Sequence, residues 1–405
     1  MSTTSFFASL QDIFSNLSTG ALREKAWDHF LEIGLPDQSI DAFKYVPLKR
    51  LYEMKLVMTP LEISEDVIQP HILPECRQSY LVFANGRFVP HLSKIPAKMV
   101  VLPLHEALKN YGPFLQGRLS KGIKEETDPF AVLNFALQEG GVFCYLPPKL
   151  QLEAPLQLIY YSEGEHSYSP VRVNVFCSPE SKLSMVGAAI GDAVHHISLD
   201  VAVEDRAEFS YLQTADVSLL LTDFKATQKS RSVLKHMSLH SSGNLTRNRL
   251  NVTLMGEQAS ALLQGLWNLS DNHQCHTHVR VEHQAPACHS LQKFKGVLKM
   301  QSQSSFEGKI YVHPEAQKTE AYQINKNLLL SESAIANAKP NLEIFADDVK
   351  ASHGATMAQV DEEQLFYLQS RGLSQEMARG LLIRGFIQEM VDQIPLASVR
   401  DGFRF

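Results

Sequence analysis

Apolar residues recur at helical spacing only toward the two ends of the chain. Between Ser18 and Gly34, the positions Leu22, Ala26, Phe30 and Ile33 fall on one stripe. Ser18 or Thr19 is placed to cap this helix, and Gly34 followed by Pro36 ends it. A shorter pattern of Phe43, Val46, Leu48 and Leu51 is broken by Pro47, so part of it is a turn. Near the other end, Asp361-Glu362-Glu363 puts acid at a helix start, where the macrodipole favours it, and Arg371-Gly372 closes that helix. Ser374 can cap a further helix, with Leu381, Leu382, Phe386, Met390 and Ile394 along one stripe until Pro395.

Between these ends the hydrophobic period changes. Leu81-Val82-Phe83-Ala84-Asn85-Gly86-Arg87-Phe88-Val89 reads as two short strands joined at Asn-Gly, a hairpin signal. One helix follows, capped by Asp128, with Pro129 in its first turn, a strongly apolar run from Phe130 to Leu137 and a stop at Gly140-Gly141. From Val142 to Val349 alternation dominates: Val171/Val173/Val175, Leu250/Val252/Leu254, Ala261/Leu263/Gly265/Trp267/Leu269, Phe306/Gly308/Ile310/Val312. Short polar turns separate these runs, and the helices that a βαβ sheet requires are missing, so this region is all-β. A sandwich, a barrel and a solenoid all satisfy the pattern, because the repeats are too degenerate to fix a period. Asn325 and Asn327, two apart beside Leu328-Leu329-Leu330, suit the stacked polar positions of a solenoid. The expected division is a helical region over 1–78, a β core over 79–350 with a helical insertion at about 104–140, and a helical region over 351–405.

Composition narrows the function classes. The 405 residues are 44% apolar and 20% charged, an ordinary globular balance. A net charge of −6 and the lack of any long Lys/Arg block argue against nucleic-acid binding. The five cysteines, Cys76, Cys144, Cys177, Cys275 and Cys288, are odd in number and scattered, which suits a reducing cytoplasm better than a disulfide framework. The N-terminus lacks a basic signal-peptide start, and no run approaches the ~18 apolar residues of a membrane span, so a cytoplasmic protein without membrane contact is expected.

Self-sufficient catalytic chemistry is hard to place. Walker A, G-x-G-x-x-G, H-E-x-x-H and G-x-S-x-G patterns are all missing, and Ser232-Val-Leu-Lys235 matches S-x-x-K without its companion motifs. The segment 273–289 holds His273, Cys275, His276, His278, His283, Cys288 and His289, types that ligate iron, zinc or copper. No pair in it has finger or knuckle spacing, which favours strand histidines on a solvated or polar-lined face. His353, in Ser352-His353-Gly354-Ala355-Thr356, reads from composition alone as a loop histidine after the last strand.

The C-terminal third resembles the SufB/SufD family of iron–sulfur assembly proteins. The resemblance is carried by Thr319-Glu320-Ala321-Tyr322-Gln323-Ile324-Asn325-Lys326-Asn327, by Lys339-Pro340-Asn341-Leu342-Glu343-Ile344 through Lys350-Ala351-Ser352-His353-Gly354-Ala355-Thr356, and by Asp361 to Gly372. The Ser-His-Gly-Ala-Thr form around His353 is similar to the SufD branch, where SufB tends to have Glu-His-Glu-Ala-Thr. Many SufD sequences place Cys two residues before this histidine; Ala351 stands there here.

The resemblance implies a mainly β protein, with a right-handed parallel β-helix flanked by N- and C-terminal helical domains. At ~22 residues and ~4.8 Å per turn the core would form a rod of roughly 40 Å. It further implies a non-catalytic scaffold subunit of a SufB–SufC–SufD complex. Leu342, Ile344 and Val349 would form the seam with SufB, and Asp361, Glu362, Phe366, Tyr367 and Arg371 the dock for the SufC ATPase. His353 would be a transient iron or cluster ligand at the seam. No cofactor would be bound tightly by this chain, a transient iron–sulfur cluster would sit on the assembled complex, and flavin binding is left open. A homodimer is expected when the chain is alone. Two rivals are a SufB-like homodimeric cluster carrier and a β-solenoid enzyme, the latter requiring an exposed carboxylate cluster with a basic neighbour.

Overall fold

The computed structural model of the chain describes residues 2–18, 20–164 and 166–403. Its centre is a parallel β-solenoid whose strands alternate between two sheets, ten strands in one and nine in the other among the described residues. From Val142 onward, past the helical insertion, residues paired between successive turns lie 25 apart (Leu219 with Val194) to 32 apart (Gln303 with Ile335). The turns are therefore longer than the ~22 residues expected, because each carries two strands of up to about ten residues plus two corners.

Alternation sorts the side chains as the pattern required. In Leu245–Leu254, Leu250, Val252 and Leu254 point into the solenoid, the first two stacking in register with Phe224 and Ala226 on one side and Val279 and Val281 on the other. The corners have a common device that glycine does not supply. Glu180, Arg206, Arg231, Gln258, Ala287 and Lys318 all adopt left-handed φ, between 55° and 62°. Each donates its backbone N–H to a carbonyl in the next turn: Asp205, Ser230, Glu257, Pro286, Gln317 and Asp348 respectively. This file of corners holds the turns in register.

The two ends of the solenoid differ. At the N-terminal end both sheets finish in antiparallel pairs, Tyr80–Ala84 with Arg87–Phe88 and Val100–Pro103 with Val142–Leu146. Asn85-Gly86 forms the expected hairpin turn, with positive φ at both residues. At the other end Ile335–Ile344 and Val349–Ala358 are the outermost strands of their sheets. The last strand runs eight residues past the boundary expected at 350.

Helices cover the outer faces. Ser2–Asn16, Ala21–Ile33, Leu48–Tyr52 and the insertion helices Leu104–Asn110, Gly112–Glu125 and Pro129–Leu137 pack on the nine-stranded sheet through Phe143, Tyr168, Val194, Leu221 and Leu245. Of the two expected caps of Ala21–Ile33, Thr19 lies outside the described residues, and the helix starts after Gly20 without a side-chain cap. Asp128 does cap Pro129–Leu137, accepting from the N–H groups of Phe130 and Ala131.

Asp128 also pairs with Arg247, while Arg249 joins Glu126 at 2.7 Å and Asp223 at 2.7 Å. Burial alone would raise the Asp128 carboxyl, but Arg247 and Arg249 outweigh it and hold the group well below the carboxylate range. This carboxylate–arginine cluster is buried between insertion and sheet. It serves as a clamp and not as the exposed constellation a solenoid enzyme would need.

Candidate functional site at the open end of the solenoid

The last turn has no successor. Ile335–Ile344 and Val349–Ala358 each pair on one side only, so their other edges present unpaired backbone N–H and C=O groups. His353 lies within Val349–Ala358, which corrects the loop reading: the strand continues through Ser352-His353-Gly354-Ala355-Thr356. Gly354 is no break in the strand: a Cβ added there would meet nothing within 4 Å, and the ladder with Ile324 carries it.

Register places His353 on the inner-facing row. It pairs with Gln323, which pairs with Gln292, which pairs with Leu263. Leu263, Gln292 and Gln323 are buried in the solenoid, whereas His353 is exposed because nothing lies beyond it. The three residues expected at a seam with SufB lie in the same last turn. Leu342 and Ile344 continue the rows of Ile310 and Val312, and Leu342, Ile344 and Val349 are half-buried against Ile310, Val312, Ala316 and Ala321. Around them Ile335, Phe345 and Met357 are 45%, 57% and 45% exposed, a rim of large apolar side chains that the sequence pattern did not single out. Their signal was available only through register, since alternation alone places Met357 on the inner row.

The C-terminal helices carry a second exposed group. Asp361 caps Glu362–Ser370, accepting from the N–H groups of Glu363 and Gln364, so it has a structural duty of its own. Glu362 is exposed, as are Phe366 at 73% and Tyr367 at 56%. Arg371 ends the helix and lies over the Tyr367 ring, 5.2 Å from its centroid. Met377 and Leu381 of the following helix are exposed too. The buried stripe of that helix, Gln375–Val391, is Ala378, Ile383, Ile387, Met390 and Val391, so Leu381 faces outward instead of joining it. This stripe packs on Val186, Leu212, Met237, Leu239, Leu266, Val297 and Leu328 of the ten-stranded sheet. Glu389 reaches Lys293 and Lys295 there.

The His/Cys-rich segment does not converge. In Gln274–His283, Cys275 and His283 face inward while His276 points outward and is covered. His276 is buried instead of solvated, hydrogen-bonded to Ser305 at 2.8 Å and Gln274 at 3.0 Å. Burial, with Arg247 nearby, lowers it to about 3. Among the described residues no group of three or more His, Cys, Asp or Glu is gathered to hold a metal ion. Ser232 is turned onto the Lys229 carbonyl while Lys235 is exposed, which leaves the S-x-x-K pattern without a nucleophile–base pair. No helix among the described residues is long and apolar enough to cross a membrane.

Comparison with known proteins gives this geometry a family. Residues 160–386 match the SUF system FeS cluster assembly SufBD core domain, and residues 5–158 match the SufBD protein N-terminal region. An iron-sulfur cluster assembly SufBD family protein of Synechocystis is 28% identical over 94% of this chain and 89% of its own length. The iron-sulfur cluster assembly protein SufD of Escherichia coli is 28% identical, covering 90% of this chain and 86% of its own. The chloroplastic protein ABCI7 of Arabidopsis thaliana is 30% identical over 96% of this chain and 86% of its own length. The chain therefore belongs to the SufBD family of iron–sulfur cluster assembly proteins.

Proposed function

We propose that this chain is a SufD-type, non-catalytic scaffold subunit of a cytoplasmic SufB–SufC–SufD complex. The observation that carries the reading is the uncapped last turn, with two free strand edges, an apolar rim and an inner-row histidine. A SufB subunit of like architecture continues both sheets through Leu342, Ile344 and Val349, which satisfies the edge groups and buries Phe345 and Met357. His353 then lies inside a seam. Its imidazole, with a cysteine of SufB, holds iron or a nascent cluster as cargo, and a mixed His/Cys set releases a cluster more readily than four thiolates.

SufC docks on the exposed face of the C-terminal helices, through Glu362, Phe366, Tyr367 and Arg371, with Met377 and Leu381 alongside. Because Gln375–Val391 is packed on the sheet whose last strand bears His353, movement of SufC on ATP reaches the seam through a rigid contact. The rival carrier role requires thiolates. All five cysteines are buried, and burial pushes Cys76, Cys144 and Cys275 up to about 12.

Co-expression with SufB and SufC, followed by sizing and an ATPase assay, tests the assembly; a three-component complex with raised SufC turnover is expected. In the intact complex His353→Ala lowers cluster assembly about tenfold or more. A wild-type rate would remove the ligand role. For the dock, Glu362→Lys with Phe366→Ala abolishes SufC pull-down, and undiminished capture would relocate the contact. Asp361 is unsuited to that test because its substitution uncaps the helix.

A further inference from the structure

We infer that Gln323 is a positioning residue for His353: its side-chain oxygen accepts the inward N–H of the imidazole and leaves the outward nitrogen unprotonated for metal. The inference rests on the ligand role proposed for His353 and names the group that prepares it. Gln323 occupies the turn directly beneath His353 on the same inner row. Its side chain is 1% exposed, yet neither its Oε1 nor its Nε2 has a hydrogen-bond partner, and the same holds for Gln292 one turn further in. Leaving a buried polar group unmet is costly, so two such amides in successive turns of one row need a use. The His353 imidazole makes no hydrogen bond among the described residues and sits next in the row.

Space for the amide is built in from the opposite sheet. A Cβ at Gly308 would fall 2.0 Å from Gln323 Nε2 and 2.6 Å from its Cδ, so only glycine there admits this side chain in its place. Stacked amides in parallel, in-register strands bond along the stack. The two amides do not meet in this structure; with His353 N–H donating to Gln323 Oε1 they turn along the row, so that Gln323 Nε2–H reaches Gln292 Oε1. Covering the open end with a partner excludes the water that competes for the imidazole N–H. A neutral histidine has one donor and one acceptor nitrogen, and the inner acceptor decides which is which.

The test is nitrogen NMR of the full-length chain, alone and in the assembled complex, with labelled histidine. In the complex the wild type shows one dominant His353 tautomer, the one protonated on the inward nitrogen. Gln323→Leu mixes the tautomers and lowers iron retention at the seam 10- to 100-fold, while Gln323→Glu, which still accepts, preserves the wild-type tautomer. Gly308→Ala, which displaces the amide without removing it, reproduces the Gln323→Leu spectrum. An identical tautomer ratio in wild type and Gln323→Leu complexes overturns the inference, as does a Gln323→Glu spectrum matching that of Gln323→Leu. If instead the tautomer follows Gln323 but His353→Ala assembles clusters normally, the hydrogen bond stands and the ligand role is what fails.

Discussion

Asp128 shows how one side chain can be half legible. Its place before Pro129 and an apolar run announced a helix cap, a local matter of three residues. Its pairing with Arg247, 119 positions away, is a product of the fold, and neither residue carries a local sign of it. Arg247 also lies 4.2 Å from the Phe43 ring centroid, so the pair ties the N-terminal region to the sheet. Asp128→Asn keeps a capping oxygen but strands a buried guanidinium, and should cost roughly 3–5 kcal/mol in urea denaturation; Asp128→Ala should cost about 1 kcal/mol more, the worth of the cap.

Buried histidines give a second residue-scale prediction. Burial lowers His195 and His240 to about 4 and His196 and His236 to about 3, from an ordinary 6.5. As pH falls below 6.5 the unfolded chain takes up protons that the folded chain refuses, so stability is full above 6.5 and declines toward pH 3–4. The melting temperature should fall across that window, and replacing His236 with Leu should flatten the decline.

At the scale of elements, strand content and its alternation were readable, and the solenoid repeat was not. The reason lies in the corners. Seven residues, with Lys149 at the head of the file, share left-handed φ and the same hydrogen bond to the next turn, yet they are Lys, Glu, Arg, Arg, Gln, Ala and Lys, and the spacing between them drifts. Without glycine or asparagine at a fixed interval there was no period to detect. The same fact makes a prediction. Ala287 holds φ 55° with a Cβ and no polar side chain to compensate, so Ala287→Gly should stabilise the fold by about 1 kcal/mol and Ala287→Val should destabilise it.

The terminal strand is illegible in sequence for a related reason: Ser352-His353-Gly354 has loop composition, and only pairing with Tyr322, Gln323 and Ile324 makes it a strand. Lysine at Ile335 and Met357, both on the exposed end, should leave the melting temperature of the isolated chain within about a degree or two while abolishing, in sizing, the pairing proposed with SufB or with a second copy.

Across the whole molecule, two helical layers grip opposite faces of the solenoid, and both involve its last turns. The N-terminal layer reaches the last turn through Asp41 and Lys339, 2.8 Å apart, and the C-terminal layer reaches the neighbouring turns through Glu389 and the lysines at 293 and 295. Helix–sheet–helix order was visible in the sequence; which face each helical layer covers was not, because both sheets expose similar alternating positions. The asymmetry of the two ends has a larger consequence. One end is finished by antiparallel strands and the other is not, so a subunit can be extended in a single direction only. Two such bodies meeting at their open ends join their ten-residue edges, and the edges left at the far ends, Arg87–Phe88 and Val100–Pro103, are two and four residues long. Edges that short are poor templates for a further copy, so the fold favours a pair over a fibre.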